Sequence, residues 1–436
     1  MATTTTTTTL FTPFPKSQTL SSPYPFLLTS QSRRTLSCSS SSSTSSSLSS
    51  STNSNDPIRV VFAGGGTGSH VYPAVAIADE LKTLHPTCEF LFIGTPNSME
   101  SAAISSSGYN FAPVSATEMA PHNFLFFPHR FLKSLIQCFN HLRHFQPHVV
   151  VGTGGRVSFP VCLAAKLKGI NLVIHEPNSV PGFANYVLSF FADVISVAFN
   201  STVDSFPRNK CVVCGNPVRL SLRNLVPKGI AMSHFFPENN NKGGKGHVLL
   251  VLGGSFGANA VNIAMLNLYY QMLRQNSSLF IIWQTGVEAF DEMDSLVKNH
   301  PRLYMTPFMY CMDLAYASAD LIVSRAGAMT CYEILATGKP SILIPSPNFS
   351  EGNQFRNASL MADLAGVTVI TEDELDSSTL AIAIEKILRD EKKMEDMSER
   401  ALKAANPNAS AEIAKHILSL VDASTKKKTN GHKVES

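Results

Sequence analysis

The sequence alternates short, continuous apolar runs with stretches of helical character, and the alternation occurs twice. Continuous apolar runs of about four to eight residues are typical of strands buried on both faces of a parallel sheet. The first series lies at 58–64, 89–94, 148–152, 171–175 and 193–198, and the second at 247–254, 278–284, 302–308, 320–325, 340–345 and 366–370. Two such series in tandem predict two doubly wound α/β domains that face each other across a cleft.

The first 55 residues differ in composition from the rest of the chain. Of the first 50 residues, 28 are Ser or Thr, and no Asp or Glu precedes Asp56. Lys16, Arg33 and Arg34 account for the whole formal net charge of +3. This composition is typical of a transit peptide, and the low Arg content favours a plastid over a mitochondrion. The other interpretation is a generic disordered linker.

Charge and hydropathy limit what the remaining residues can do. Basic and acidic residues are balanced there, which argues against a nucleic-acid-binding protein with a broad basic surface. No apolar run reaches the ~18 residues that a membrane-spanning helix needs. We expect an N-terminal domain at 56–219 and a C-terminal domain at 220–408. We also expect a helix at 409–422 that returns to the first domain, and a disordered tail at 423–436.

Each predicted domain opens with a glycine-rich turn between a strand and a helix, GGGTGSH at 64–70 and GGSFG at 253–257. Glycine lets the backbone approach a ligand, and the N-terminus of the following helix offers N–H groups to an anion. The first turn does not match a dinucleotide fingerprint, because Ser69 stands where the third glycine belongs. Neither turn is followed by Gly-Lys-Ser/Thr, which excludes a P-loop.

Seven motifs, two of which contain these turns, occur in a fixed order along the chain. They are GGGTGSHVYPA (64–74), GTGGRVSFP (152–160), HEPN (175–178), GNPVR (215–219), GGSFGA (253–258), SRAGAMTCYE (324–333) and NQFRNA (353–358). Together they resemble the MurG family of GT-B glycosyltransferases, over roughly residues 58 to 421. Members of that family move N-acetylglucosamine from UDP to lipid I, a muramyl-pentapeptide on a polyprenyl pyrophosphate, and so make lipid II. The resemblance implies an inverting hexosyltransferase of peptidoglycan biosynthesis, with no cofactor and no bound metal.

The resemblance also implies the donor site for UDP-N-acetylglucosamine. Glu333 is expected to accept hydrogen bonds from both ribose hydroxyls, and the backbone of Met309 to hold uracil. Ser255 is expected to bind a phosphate, and Gln354 the sugar hydroxyls. The helix start that should face the pyrophosphate comprises Ala328, Met329, Thr330, Cys331 and Tyr332. The first-domain residues expected to close over the donor are Thr67, Gly68, Ser69, Asn178 and Arg219.

His70, at the end of the first glycine turn, is the predicted catalytic base, since an imidazole accepts a proton near neutral pH. It would deprotonate the C4 hydroxyl of the acceptor. Helix N-termini, with Arg219 or Arg325, would stabilise the departing UDP. His175 and Glu176 are alternative bases, although structural support of the cleft is the favoured role for both. The sequence contains no Asp-x-Asp, the usual metal-binding signature of the other glycosyltransferase architecture.

The segment 121–145 has the character of a membrane-contacting helix. Its apolar residues at helical spacing are Phe131, Leu132, Leu135, Ile136, Phe139 and Leu142, and its basic residues include Arg130, Lys133 and Arg143. An apolar FLFF cluster precedes them at 124–127. The competing interpretation is a helix whose apolar stripe faces the core. Peripheral contact would place the protein on the stromal side of the inner envelope or the thylakoid membrane.

Four positions differ from the family pattern, namely Ser69, Arg156, Pro177 and Phe256. Most of them fall on the acceptor side or at the mouth of the cleft, whereas the donor residues are unchanged. Two alternatives therefore stay open. One is a plastid lipid glycosyltransferase with another acceptor, such as diacylglycerol. The other is a non-catalytic scaffold that binds a UDP-sugar. HEPN and GNPVR favour the lipid-I enzyme.

Overall fold

The structure is a computed structural model that describes residues 57–66, 68–96, 98–115, 127–238, 246–348 and 354–432. Several sequence predictions lie outside these residues. They concern the Ser/Thr-rich segment 1–55, Thr67, the side chain of Ser69, most of the FLFF cluster and the last residues of the tail. The described residues form two parallel α/β sheets, one of seven strands and one of six. The prediction of two doubly wound α/β domains is therefore confirmed.

The first half of the chain alternates strands and helices around the seven-stranded sheet. Its strands are β1 (Arg59–Gly64), β2 (Glu89–Gly94), β3 (Asn110–Pro113), β4 (Val149–Gly154), β5 (Asn171–Glu176), β6 (Val194–Val197) and β7 (Cys211–Val213). Its helices are α1 (Gly68–Leu84), α2 (Met99–Ser106), α3 (Phe127–Phe145), α4 (Ser158–Leu167) and α5 (Phe183–Ser189). The strand β4 is buried throughout, and β1 and β5 are buried except at their first residues, as their continuous apolar sequences require.

The second half repeats the plan around the six-stranded sheet. After α6 (Lys228–Phe235), its strands are β8 (His247–Leu252), β9 (Leu279–Gln284), β10 (Leu303–Thr306), β11 (Leu321–Ser324), β12 (Ser341–Leu343) and β13 (Thr368–Val369). Its helices are α7 (Asn259–Gln275), α8 (Phe290–Leu296), α9 (Met312–Ser318), α10 (Ala328–Thr337), α11 (Gln354–Ala365), α12 (Ser377–Leu388) and α13 (Glu391–Ala404). The final helix, α14 (Ala409–His432), follows.

The strand order places one switch point in each sheet. The first sheet runs β3-β2-β1-β4-β5-β6-β7 and the second runs β10-β9-β8-β11-β12-β13. Successive strands are therefore added toward one edge of the sheet and then toward the other. This change of direction occurs between β1 and β4 in the first sheet and between β8 and β11 in the second. Ligands of open α/β sheets bind beyond the carboxyl ends of the strands at such points. Both glycine-rich turns lie there, since one follows β1 and the other follows β8.

The last helix packs on the first half of the protein. Ile413, Ala414, Ile417 and Val421 are buried in the same apolar cluster as α1. The helix continues to His432, whereas the sequence predicts a disordered tail from 423. The apolar periodicity ends near Val421, but no Pro or Gly follows directly to stop the helix.

Candidate active site

His70 lies at the switch point of the first sheet, in the first turn of α1. Its ring nitrogen Nδ1 is 3.1 Å from the carbonyl oxygen of Gly65. A carbonyl oxygen only accepts hydrogen bonds, so Nδ1 must carry the proton in this contact. In the neutral ring the lone pair then lies on Nε2. The glycine turn therefore fixes both the orientation of His70 and the tautomer that a general base needs.

A second glycine-rich segment, at the end of β4, packs directly against His70. The hydroxyl of Thr153 donates to the carbonyl oxygen of His70 at 2.6 Å. Gly154 has φ +104°, and a Cβ there would lie 2.7 Å from Cδ2 of the His70 ring. Gly155 has φ +86°, and its Cβ would lie 1.9 Å from the oxygen of Gly65. Gly154 therefore leaves room for the imidazole and Gly155 leaves room for the turn that orients it, roles that their sequence alone did not reveal.

His175 has a structural role. It is fully buried, with Nε2 2.8 Å from Oδ1 of Asn216 and Nδ1 3.3 Å from the hydroxyl of Ser196. The amide nitrogen of Asn216 donates to the oxygen of Pro177, which orients Oδ1 toward His175. Burial lowers the pKa of His175 to about 4, so the ring is neutral near pH 7. This network joins the HEPN and GNPVR motifs.

Glu176 organises the loop that follows β5. Its carboxylate is 1% exposed and accepts hydrogen bonds from the backbone N–H groups of Asn178 and Gly182. It also accepts from the side-chain amides of Asn178 and Asn185, at 3.1 and 2.9 Å. Burial raises the pKa of Glu176, and these hydrogen bonds oppose the rise. With its oxygens used in this way, Glu176 supports the cleft and is poorly placed to act as the base.

The same loop contacts the second half of the protein through Ser179. Its N–H and hydroxyl both donate to Oδ1 of Asn357, at 3.2 and 2.8 Å. The amide nitrogen of Asn357 donates in turn to the oxygen of Ala326, just before α10. Asn357 is fully buried and lies one turn after Gln354 on α11. The side chain of Asn357 therefore connects the loop after HEPN to α11 and to the start of α10, the two helices that the sequence assigns to the donor.

The start of α10 lies beyond β11, at the second switch point. Its N-cap is Gly327, no side chain caps the helix, and no acidic residue lies in its first turn. The N–H of Cys331 donates to the oxygen of Gly327 at 3.0 Å. The amides that can meet an anion are therefore those of Ala328, Met329 and Thr330. Cys331 and Tyr332 lie after these amides in the helix, and both are buried, as Ala328 and Met329 are.

Glu333 lies one turn into α10 and is only 4% exposed. Its Oε2 accepts a hydrogen bond from the hydroxyl of Tyr316 at 3.0 Å, and its Oε1 lies 3.8 Å from Nε of Arg219. Burial raises the pKa of Glu333, while Arg219 and Tyr316 oppose the rise. The Arg219 guanidinium also stacks on the ring of Tyr72, 3.7 Å from its centroid. Arg219 thus connects α1, which carries His70, to the predicted ribose-binding carboxylate.

The other predicted donor residues line the same half of the protein. Ser255 is half-buried in the second glycine turn, and its carbonyl oxygen accepts from Val287 at 3.3 Å. The side-chain oxygen of Gln354 accepts from the N–H of Ser346 at 3.0 Å. Met309 is buried, and the rings of its chain neighbours Phe308 and Tyr310 contact each other with their centroids 4.9 Å apart. This aromatic pair was not predicted from the sequence.

Arg325, considered as a stabiliser of the leaving group, has other contacts. Its guanidinium pairs with Glu372 and donates to the oxygen of Ile344 at 3.2 Å. Arg219 is the better placed of the two arginines because it lies beside Glu333. Gly68, the first residue of α1, is half-buried next to Tyr72.

The positions that depart from the family pattern differ in exposure. Arg156 is exposed and Phe256 is 49% exposed. Pro177 is buried, and its carbonyl oxygen accepts from Asn216. Because only the oxygen of Pro177 is used, proline fulfils the structural role of this position without an N–H.

The helix α3 divides into a core-facing side and an exposed side. Cys138 and Leu142 are buried, and Leu135 and Phe139 pack against them, as the core-facing interpretation requires. Leu132 and Ile136 are 54% and 52% exposed, and Arg130 and Lys133 beside them are exposed as well. The apolar residues of α3 therefore divide between the core and the surface, and membrane contact by the exposed ones stays a prediction. Among the described residues, no helix combines the length and apolarity needed to cross a bilayer.

Two doubly wound sheets with paired switch points define the class of the protein. A glycine turn with a tautomer-fixed histidine lies on one side, and an uncapped helix N-terminus with a buried carboxylate lies on the other. This is the architecture of a GT-B glycosyltransferase that uses a nucleotide-sugar donor.

Comparisons with known proteins identify the family. The models of the glycosyltransferase family 28 N-terminal and C-terminal domains match residues 60–197 and 248–417. The chain is 37% identical over 366 residues to the UDP-N-acetylglucosamine–N-acetylmuramyl-(pentapeptide) pyrophosphoryl-undecaprenol N-acetylglucosamine transferase of Salinibacter ruber, covering 83% of this chain and 97% of the relative. The protein of the same name from Flavobacterium psychrophilum is 37% identical over 368 residues, covering 84% and 98%.

A solved structure gives the same result. The crystal structure of Acinetobacter baumannii MurG matches with a TM-score of 0.63 and 27% identity, covering 83% of this chain and all of that one. The protein belongs to the MurG family, within glycosyltransferase family 28.

Proposed function

We propose that this protein transfers N-acetylglucosamine from UDP to the C4 hydroxyl of lipid I, with inversion at the anomeric carbon, to give lipid II. Relatives at 37% identity over most of the chain carry the name of this transferase. The observation that supports catalysis most directly is the contact of His70 Nδ1 with the oxygen of Gly65. It orients a basic nitrogen in the cleft, which a scaffold that only binds a UDP-sugar would not need.

The donor site follows from the second switch point. The first amides of α10 would bind the diphosphate, and Ser255 would approach it from the other glycine turn. Glu333 would accept the ribose hydroxyls, since a carboxylate can accept two hydrogen bonds side by side. Uracil would lie against the backbone of Met309, beside the exposed ring of Tyr310, which is of the kind that stacks on bases. Gln354 would bind the sugar from the start of α11.

The first half of the protein would supply the base and close the site. Nε2 of His70 would accept the proton of the C4 hydroxyl while that oxygen attacks the anomeric carbon and UDP departs. General-base catalysis of this kind contributes roughly 10²- to 10⁴-fold. Arg219 and the amides of α10 would stabilise the charge that develops on the diphosphate. Thr67, Gly68, Ser69 and Asn178 would border the same space.

The acceptor carries a long lipid, so the enzyme would need to approach a membrane. We propose that α3 supplies part of this surface through Leu132 and Ile136, with Arg130 and Lys133 at anionic head groups. α5 continues it, because Phe183 is 82% exposed and Phe190 is 56% exposed. Both helices pack on α4 and lie on the same face of the sheet.

The cellular location is part of the proposal. The Ser/Thr-rich, acid-free N-terminal segment supports import into a plastid. The protein would then act from the stromal side of the inner envelope or thylakoid membrane. Its lipid acceptor must be made in the same compartment.

The test is an assay of UDP release by the full chain, with UDP-N-acetylglucosamine and a synthetic lipid-I analogue. We expect turnover that the His70→Ala variant loses by at least 10²-fold, since the base is removed. Diacylglycerol, tested in parallel, should give no product. Turnover on diacylglycerol alone would support the plastid lipid glycosyltransferase. Donor binding without turnover on either acceptor would support the scaffold.

A further inference from the structure

The contacts of Glu333 pose a problem for donor binding. Both carboxylate oxygens already face protein groups, the Tyr316 hydroxyl on one side and Arg219 on the other. The side chain of Glu333 is 5% exposed and that of Arg219 is 23% exposed, so water screens the pair only in part. A ribose that binds both carboxylate oxygens must therefore place one hydroxyl at Oε1, on the side where Arg219 lies.

Arg219 is the partner that can leave. The Nε–Oε1 distance of 3.8 Å is too long for a hydrogen bond, whereas Tyr316 donates a normal one at 3.0 Å. Nε of Arg219 is buried and has no hydrogen-bond acceptor among the described residues. A buried N–H group without an acceptor is costly, so the guanidinium gains free energy when it reaches an anion that accepts properly.

The surroundings of Arg219 favour a rotation rather than a large displacement. Cζ of its guanidinium lies over the ring of Tyr72, 3.7 Å from the centroid, and a cation held by the face of an aromatic ring can rotate there without losing the contact. Glu333 lies one turn into α10, the helix whose first amides would bind the diphosphate. A short movement over Tyr72 would carry the guanidinium from the carboxylate toward that anion.

We propose that Arg219 makes nucleoside binding depend on the diphosphate, because it competes with ribose for Glu333 and leaves the carboxylate only when the diphosphate receives it. Arg219 is thus a residue that determines specificity for nucleoside diphosphates over nucleosides. The inference rests on the proposed function, in which Glu333 binds ribose. The guanidinium of Arg219 would stay in contact with the ring of Tyr72 while it moves from Glu333 to the diphosphate.

The experiment compares the binding of uridine and of UDP to the full chain by calorimetry. If Arg219 leaves Glu333 for the diphosphate, the substitution Arg219→Gln should change the affinities for uridine and for UDP in opposite directions. Uridine should bind about fivefold more tightly, the equivalent of one partly exposed ion pair, since its competitor for Glu333 is gone. UDP should bind about tenfold more weakly, since a charge-assisted contact to the diphosphate is lost.

Arg223→Gln is the matched control. Arg223 lies in the same connecting segment but pairs with Glu80 at 3.0 Å, and its replacement should leave both affinities unchanged. Arg219→Lys retains the charge and should show both effects in reduced form, which provides a second test if the Gln variant fails to fold.

Three outcomes would overturn the inference, and they are distinguishable. Unchanged uridine affinity in Arg219→Gln, with weaker UDP binding, would mean that Arg219 only contacts the diphosphate. Weaker binding of both ligands would mean that Arg219 only supports the structure of the site. Absence of UDP binding by the unaltered protein would refute the proposed function itself.

Discussion

Substitution of Gly154 by Ala should damage catalysis through His70 without removing any group that touches substrate. Gly154 has φ +104°, and the new Cβ would lie 2.7 Å from Cδ2 and 3.0 Å from Nε2 of His70. Carbon atoms in contact normally lie about 3.5 to 4.0 Å apart, so the ring must move by roughly 1 Å. A misplacement of that size can cost about 10²-fold in rate. The backbone strain adds about 1 to 3 kcal/mol, which a folded domain of ordinary stability survives.

The assay measures kcat and the KM for UDP-N-acetylglucosamine from UDP release. We expect kcat to fall by about 10²-fold with little change in the donor KM, because the residues proposed to bind the nucleotide lie mainly in the other half of the protein. Gly169→Ala is the matched control. Gly169 also has positive φ, +71°, but a Cβ there would contact nothing within 4 Å. If the two variants have the same kcat, the close packing of Gly154 on His70 does not position the base.

Two further predictions concern stability and membrane binding. The pKa of His175 is about 4 in the folded protein against 6.5 ordinarily, so the unfolded chain binds the extra proton between these values. The free energy of unfolding should therefore fall by about 3 kcal/mol as pH decreases from 6.5 to 4, and denaturant titrations of His175→Gln should lack that part of the slope. Leu132→Glu and Ile136→Glu should each weaken binding to anionic vesicles by about tenfold in co-sedimentation. Ile382→Glu, at a 68% exposed position on α12, should not, and equal loss in all three would refute the assignment of α3.

The fold could be predicted from the sequence because buried parallel strands have a distinctive composition. The runs at 58–64 and 247–254 correspond to β1 and β8, the central strands of the two sheets. The short strand β3 was missed, since Asn110–Pro113 contains only two apolar residues between a polar residue and a proline. It is an edge strand paired on one side only, so its sequence need not show the continuous apolar pattern.

The candidate site was predictable only where a motif places residues close together in the chain. The turn that ends in His70 is such a motif, and its position at the switch point follows from the strand order. The space that Gly154 leaves for His70 depends on β4, since Gly154 lies 84 residues after His70 in the chain. No local sequence pattern indicates that these two residues are in contact. The same is true of Arg325, whose side chain reaches Glu372 rather than the donor site. Two arginines that the sequence considers for the same task therefore differ in role because of partners that only the fold brings together.

The contacts between the two halves of the protein bear on how donor binding would act. Ser179 meets Asn357, Arg219 meets Glu333, and the hydroxyl of Tyr332 donates to the oxygen of Ala198. Interfaces between domains of one chain usually permit relative movement unless they are large and apolar. Two of these three contacts involve residues assigned to the donor, so binding energy from the nucleotide can be used to rearrange the interface. A single substitution at such a residue changes donor affinity and interface stability together. For that reason the sign of the uridine effect is a better test of Arg219 than the size of any loss in activity.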